Sequence, residues 1–137
     1  MSELRTVEWT NGRVRMIDQT KLPYKFVYVS YKNYREIARA IREMVVRGAP
    51  AIGVAAAMGI ALAANSSHAK TKQQLISELE TAAEVLRKSR PTAWNLFWAV
   101  EKNPGAMAFT LIFPPHSLAR WTASHWVKLF TAAFAAE

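Results

Sequence analysis

The chain has 137 residues, of which 51% are hydrophobic and 20% charged, so it can close one compact domain around an apolar core and is not a disordered polymer. It contains no cysteine, which excludes disulfides, thiolate metal sites and a cysteine nucleophile within this chain. The formal net charge is +8, and residues 1–102 carry nearly all of it, with 16 Lys+Arg against 9 Asp+Glu; such a balance suits an anionic partner and by charge alone does not choose among a phosphorylated metabolite, nucleic acid and a membrane surface.

The opening Met1-Ser2-Glu3-Leu4-Arg5 lacks the basic region and apolar stretch of a secretory signal, so a cytoplasmic setting is expected. Residues 5–17 read as a β-hairpin. Arg5 to Thr10 alternates in polarity, Asn11-Gly12 supplies a turn whose two positions need positive φ, and Arg13 to Ile17 returns. A two-residue loop pairs Trp9 with Val14, Val7 with Met16 and Glu8 with Arg15, giving one apolar face and one opposite-charge pair. Pro23 breaks the chain before a third strand at Phe26–Val29, which is expected to join the sheet because two strands alone are marginal.

Asn33 and Glu36 form a capping box for a first helix with the stripe Tyr34, Ile37, Ala38, Ile41, Met44 and Val45, and Gly48 is its expected C-cap. Pro50 suits the first turn of a second helix. From Ala49 to Ala64 there is no polar side chain, and sixteen residues fall short of an ordinary membrane span, so this helix is expected at the centre of the domain, with Gly53 and Gly59 allowing close neighbours. Thr71 and Gln74 cap a third helix with the stripe Leu75, Ile76, Leu79, Ala82, Ala83 and Leu86. Pro91 is expected to open a fourth, with Trp94 and Trp98 read as core. The expected fold is α+β: a small three-stranded antiparallel sheet followed by a four-helix bundle over residues 1–102. Residues 103–137 form a separate apolar tail, with Asn103-Pro104-Gly105 as the break and a helical pattern only over 118–136.

Two stretches share a local design suited to chemistry. Arg47-Gly48-Ala49-Pro50 and Ser89-Arg90-Pro91-Thr92 each place an arginine just before a Pro-initiated helix. A helix start offers unpaired N–H groups and the positive end of the macrodipole, and a guanidinium adds a fork suited to phosphate. Each stretch also fits a plain alternative, an ordinary turn and helix start. Other signals are weaker. His68, His116 and His125 have no metal-ligand spacing, and Glu78 and Glu84 fall on an exposed helical face and make no catalytic carboxylate pair. The tyrosines at 24, 28, 31 and 34, interleaved with Lys21, Lys25, Lys32 and Arg35, fit a half-buried strand beside a solvated face better than a base-stacking surface.

Three stretches, Arg5–Trp9 with Ile17–Pro23, Val45–Ala63 and Arg90–Glu101, resemble successive N-terminal motifs of the methylthioribose-1-phosphate isomerases, and the resemblance runs from Leu4 to about Lys102. It implies a small sheet plus helices followed by a Rossmann-like second domain, a homodimer, and conversion of an aldose 1-phosphate ester to the ketose without a cofactor. Carried over residue by residue, it implies substrate contacts at Arg47, Gly48, Ala49 and Arg90, which are the two helix starts picked out above. It also implies a catalytic Cys and an Asp proton donor on the second domain. This chain has no Cys, its one Asp, Asp18, lies elsewhere in the motif, and nothing after Asn103 matches. The expectation is therefore a truncated isomerase, inactive alone, with no catalytic residue and no metal site of its own. A frameshift or disorder is the expected account of the tail. Its expected partner is a phosphorylated sugar, not nucleic acid or membrane. Two other readings stand beside it: a non-catalytic regulatory relative of the translation-initiation exchange-factor subunits, and a ribose-bisphosphate isomerase.

Overall fold

Strand β1 (Val7–Thr10) turns at Asn11 (φ 51°) and Gly12 (φ 73°) into β2 (Arg13–Ile17), in the register Val7–Met16, Glu8–Arg15 and Trp9–Val14 expected from a two-residue loop. The outward Arg15 pairs with Glu8 and lays its guanidinium 4.5 Å from the Tyr28 ring centroid. The structure, a computed structural model, describes residues 4–101. The tail, its segment 118–136, His116 and His125 lie outside the described residues.

The third strand, β3, is Tyr28–Tyr31, two residues later than the sequence pattern placed it, and pairs antiparallel with β2 from Ile17–Tyr28 to Val14–Tyr31. The shift has a physical reason. β2 stops at Ile17 because Asp18 turns into a short 3₁₀ segment, Gln19–Lys21, and the Val27 carbonyl is already taken by the Asp18 N–H at 2.9 Å. Phe26 is left half exposed, edge-on to Tyr28. The inner face of the sheet, fully buried Val14 and Met16 with Trp9 and Val29 beside them, packs on the helices.

Four helices follow: α1 (Tyr34–Arg42), α2 (Ala49–Ser66), α3 (Lys72–Ser89) and α4 (Trp94–Glu101). The Asn33–Glu36 capping box is formed as expected, and the Thr71 side chain accepts from Gln74 N–H at the start of α3. By length and composition α2 could cross a bilayer, yet twelve of its eighteen residues are buried against α1, α3, α4 and the first two strands. Its small residues bring backbones together. A Cβ on Gly59 would lie 3.2 Å from both Leu86 methyls, and one on Gly53 would lie 3.2 Å from the Asn95 carbonyl oxygen of α4.

Two helix ends differ from the sequence pattern. Gly48 is not the C-cap of α1; that helix stops at Glu43, and Met44 takes the left-handed conformation (φ 61°) in its place. The closing bonds are Met44 N–H to Ile41 O at 3.3 Å and Val45 N–H to Ala40 O at 2.9 Å, the paired pattern of a Schellman end. Val45 and Val46, adjacent in sequence, are both buried in the loop that follows this early end. Met44 itself points outward at 38% exposure and does not belong to the apolar stripe. Nor does Pro91 open α4. Arg90 to Ala93 is a β-turn closed by Ala93 N–H to Arg90 O at 3.1 Å, with Pro91 in its second position, and α4 starts three residues after the proline.

A left-handed non-glycine residue costs about 1 kcal/mol or more. Met44→Gly should therefore raise the unfolding free energy by about 1 kcal/mol, and Met44→Val should lower it by a similar amount, in urea denaturation of the two variants. A stability loss in Met44→Gly would mean that side-chain contacts outweigh backbone strain at this position.

Candidate functional site

Between α1 and α2 the chain runs through a five-residue loop, Glu43 to Arg47, to Gly48, the residue that caps α2. Val45 and Val46 are buried and anchor the loop; Arg47, Gly48, Ala49 and Pro50 follow in the open. Gly48 has φ 89° and ψ 132°, a conformation L side chains avoid, and a Cβ there would meet nothing within 4 Å. The glycine is thus required by the backbone and not by crowding, and among the described residues nothing fills the space above it.

The start of α2 lacks internal partners. Its cap offers no side-chain acceptor, Pro50 has no N–H, and Ile52 is the first residue to bond back, to Gly48 O at 2.9 Å. The N–H groups of Ala49 and Ala51 are left facing the positive end of the helix dipole with no acceptor among the described residues. The Arg47 side chain, exposed beside them, makes no hydrogen bond or ion pair among the described residues. Such a start can hold an oxyanion through backbone N–H groups and a guanidinium together.

Arg90 is half buried at the head of the turn into α4, directly after Ser89, whose buried hydroxyl is bound to Leu86 O. The approach of Gly53 to Asn95 sets the first turn of α4 against the second turn of α2. The two starts are neighbours, about one helical turn apart along α2. The resemblance between them is only partial: Arg47 precedes a helix start directly, whereas Arg90 precedes a turn.

The remaining candidates sort themselves by partner. Glu78 accepts the Ser67 hydroxyl, and Glu84 is paired with Arg87 at 3.2 Å and Lys88 at 3.4 Å, so neither is a free carboxylate. His68 is exposed in the α2–α3 connection. Trp94 and Trp98, read from sequence as core, are instead 78% and 46% exposed. They occupy one side of α4, and the α2 contact falls on the other, with Leu96, Ala99 and Val100 buried. Among the described residues no group of three or more His, Cys, Asp or Glu side chains is placed to hold a metal.

The residue that sequence reasoning passed over is Asp18. It is 7% exposed, and its carboxylate accepts from the Thr20 hydroxyl at 2.6 Å and the Thr20 N–H at 3.1 Å, with the Lys21 ammonium at 3.6 Å. The Thr20 hydroxyl bond, helped by its N–H and by Lys21, holds the carboxyl below its ordinary value against the opposing effect of burial. The signal in the sequence was Asp18-Gln19-Thr20, a cap-like acid two residues ahead of a hydroxyl, but with only three helical residues after it there was no stripe to announce a helix.

Residues 45–106 match the family described as the initiation factor 2 subunit family. The chain is 53% identical over 98 residues to a methylthioribose-1-phosphate isomerase of Geobacter metallireducens, spanning 72% of this chain and 28% of that protein. It is 44% identical over 102 residues to the enzyme of the same name from Crocosphaera subtropica, spanning 74% and 30%. Among solved structures it resembles the 5-methylthioribose 1-phosphate isomerase of Pyrococcus horikoshii, with TM-score 0.74, 38% identity, and coverage of 98% of this chain and 37% of that one. It resembles almost equally a translation initiation factor eIF-2B delta subunit from A. fulgidus, with TM-score 0.73, 36% identity, and coverage of 95% and 36%. The chain thus spans less than a third of the length of these isomerase sequences.

Two outcomes follow from the geometry. Gly48→Ala should lose about 1–3 kcal/mol of stability through backbone strain alone, with no steric rearrangement around it, as read by thermal unfolding together with unchanged amide shifts at Asn95. For Asp18, a carboxyl with a lowered folded-state pKa adds stability above its unfolded value near 4, and that part is lost as pH falls through the folded value. Wild type should therefore lose more stability than Asp18→Asn between about pH 5 and pH 2; parallel acid-unfolding curves would contradict it.

Proposed function

We propose that this chain, whose residues 45–106 match the initiation factor 2 subunit family and which is similar to methylthioribose-1-phosphate isomerases, provides the phosphate-holding half of a sugar-phosphate isomerase site, with methylthioribose 1-phosphate as its substrate. The observation that carries the reading is Arg47-Gly48-Ala49 at an uncapped, exposed helix start, inside the stretch that these relatives share. Arg90, on the turn beside that start, is the second cation of the same site.

The division of labour follows from the chemistry. Opening an aldose 1-phosphate ester and moving a hydrogen from C2 to C1 needs an acid–base pair and no net oxidant. The charged phosphate meanwhile must be fixed and its charge balanced. The described residues are equipped for the second task. Asp18 is committed to Thr20, Glu78 and Glu84 are engaged, and the whole chain has no cysteine. The proton-moving groups of this reading come from outside residues 4–101, and the 137-residue chain by itself turns over no substrate. No cofactor, nucleic acid or membrane enters this reading; a cytoplasmic homodimer is its natural setting.

The second reading, a non-catalytic relative of the exchange-factor subunits, is favoured by the near-equal likeness to the A. fulgidus delta subunit. The intact Arg47-Gly48-Ala49-Pro50 and Arg90-Pro91 weigh toward the enzyme branch. A ribose bisphosphate substrate in place of methylthioribose 1-phosphate would use the same phosphate contacts.

The test is a titration of the ¹⁵N-labelled chain with methylthioribose 1-phosphate, alongside an isomerase assay. Weak, saturable shifts are expected at Gly48, Ala49 and Ala51. Arg47→Ala and Arg90→Ala should each weaken binding about tenfold, a charged hydrogen bond discounted for solvent screening. No turnover is expected. Shifts absent at all three amides, or insensitive to both arginines, would sink the site, and turnover at an ordinary enzymatic rate would sink the division of labour.

A further inference from the structure

The Ile17–Pro23 stretch shares in the family resemblance, yet the phosphate reading gives it nothing to do. Its geometry suggests a task. Asp18 N–H is bonded to Val27 O of the segment entering β3 at 2.9 Å, which ties the turn to the sheet. The buried Asp18 carboxylate then holds Thr20 by hydroxyl and N–H, fixing the turn's shape. The fixed turn presents Gln19 N–H to Val45 O at 2.9 Å. Val45 stands two residues before Arg47, its own N–H closes α1 on Ala40 O, and Val46 beyond it is fully buried. Val45 and Val46 are therefore gripped from the sheet side through the Gln19 N–H donor to Val45 O, from α1 through the Ala40 carbonyl that accepts from Val45 N–H, and from the core through their side chains.

We propose that the Asp18–Lys21 turn is a positioning arm for the Arg47–Gly48 loop, in which the Gln19 N–H, held by Asp18, sets the loop so that Arg47 and the N–H groups of Ala49 and Ala51 address one anion. The inference rests on the phosphate reading and deepens it: neither Asp18 nor Gln19 touches the ligand. The reason to expect an effect is geometric. Anion capture by several donors at once needs them aligned to within about 0.5 Å, and the Gln19 N–H adds a fixed point to a loop otherwise held by buried Val45 and Val46 and the closing bonds of α1. The three-stranded sheet, otherwise remote from the helix starts, acquires a role as the fixed end of the arm.

The test deletes the Gln19 N–H, with a control for the side chain lost along with it. Gln19 is the first residue of the 3₁₀ turn, where proline fits, and Asp18 before it is extended (φ −74°, ψ 93°), as the residue before a proline must be. Gln19→Pro removes the donor to Val45, whereas Gln19→Ala keeps it and removes only the side chain. The full chain is titrated with inorganic phosphate and followed at the Gly48 and Ala49 amides. Gln19→Pro should bind phosphate about threefold to tenfold more weakly than wild type, the effect of one backbone hydrogen bond, and Gln19→Ala should match wild type. In an Arg47→Ala background Gln19→Pro should cost less than in wild type, since one of the donors it aligns is already gone, and a general loss of stability would not reproduce that coupling. Unchanged affinity in Gln19→Pro, with wild type responding normally, overturns the arm and leaves the phosphate reading standing. No wild-type response at Gly48 and Ala49 overturns the phosphate reading and the arm with it. If Gln19→Pro does not fold, hydrogen exchange of the wild-type Gln19 amide decides: coupling is reciprocal, so saturating phosphate should slow it, and an unchanged rate overturns the arm.

Discussion

Everything in this fold answers to one constraint: α2 cannot show a side to water. No residue from Ala49 to Ala64 carries a polar side chain, so each face must be covered, and α1, α3, α4 and the inner sheet face supply the covers. The glycines and alanines make the cover close. Leu86 sits on the bare backbone at Gly59, and the start of α4 sits on it at Gly53. A larger side chain at either place would have to push a neighbouring element away, and interiors at this packing density tolerate such shifts poorly.

Enclosure of α2 concentrates its polarity at its ends. At the N-terminal end the exposed residues Arg47 to Pro50 carry backbone donors that no side chain satisfies, and a guanidinium stands beside them. A helix buried along its length and exposed at its positive pole offers backbone donors suited to an anion, provided the loop leading into it holds still. The loop is bracketed by two backbone conformations that L residues avoid, Met44 at one end and Gly48 at the other. Strain of this kind persists only where surrounding contacts over-determine the chain, and the burial of Val45 and Val46 with the bond from Gln19 does so here.

The fold alone does not choose a function. Among the solved structures, the chain is about as similar to the A. fulgidus initiation-factor subunit as to the P. horikoshii isomerase, by both TM-score and identity. Shared architecture with different duties is the ordinary case, and the choice falls to the residues at the helix starts. There the Arg-Gly-Ala-Pro and Arg-Pro pairs carry the weight of the proposed reading, since charge and conformation at those positions would suit an anion and serve nothing evident in the core.

Much was legible in the sequence because it depended on short-range chemistry. Asn11-Gly12 dictated the hairpin and its register, Asn33 with Glu36 and Thr71 with Gln74 dictated two helix starts, and the unbroken apolar run of α2 dictated its central place. Tertiary structure decided what local pattern could not. Gly48 looked like the end of α1, but that helix ends earlier, at a left-handed methionine that no propensity would select, with Val45 and Val46 buried in the loop beyond it. Pro91 looked like the first residue of α4 and became the second residue of a turn. Trp94 and Trp98 looked like core, yet the stripe that packs inward is the one through Leu96 and Val100, and α4, covered by α2 and α3, leaves the side carrying the two tryptophans exposed. The part of Asp18 was hidden for the same reason: its value lies in a hydrogen bond that Gln19 makes to Val45, and no window of sequence contains both.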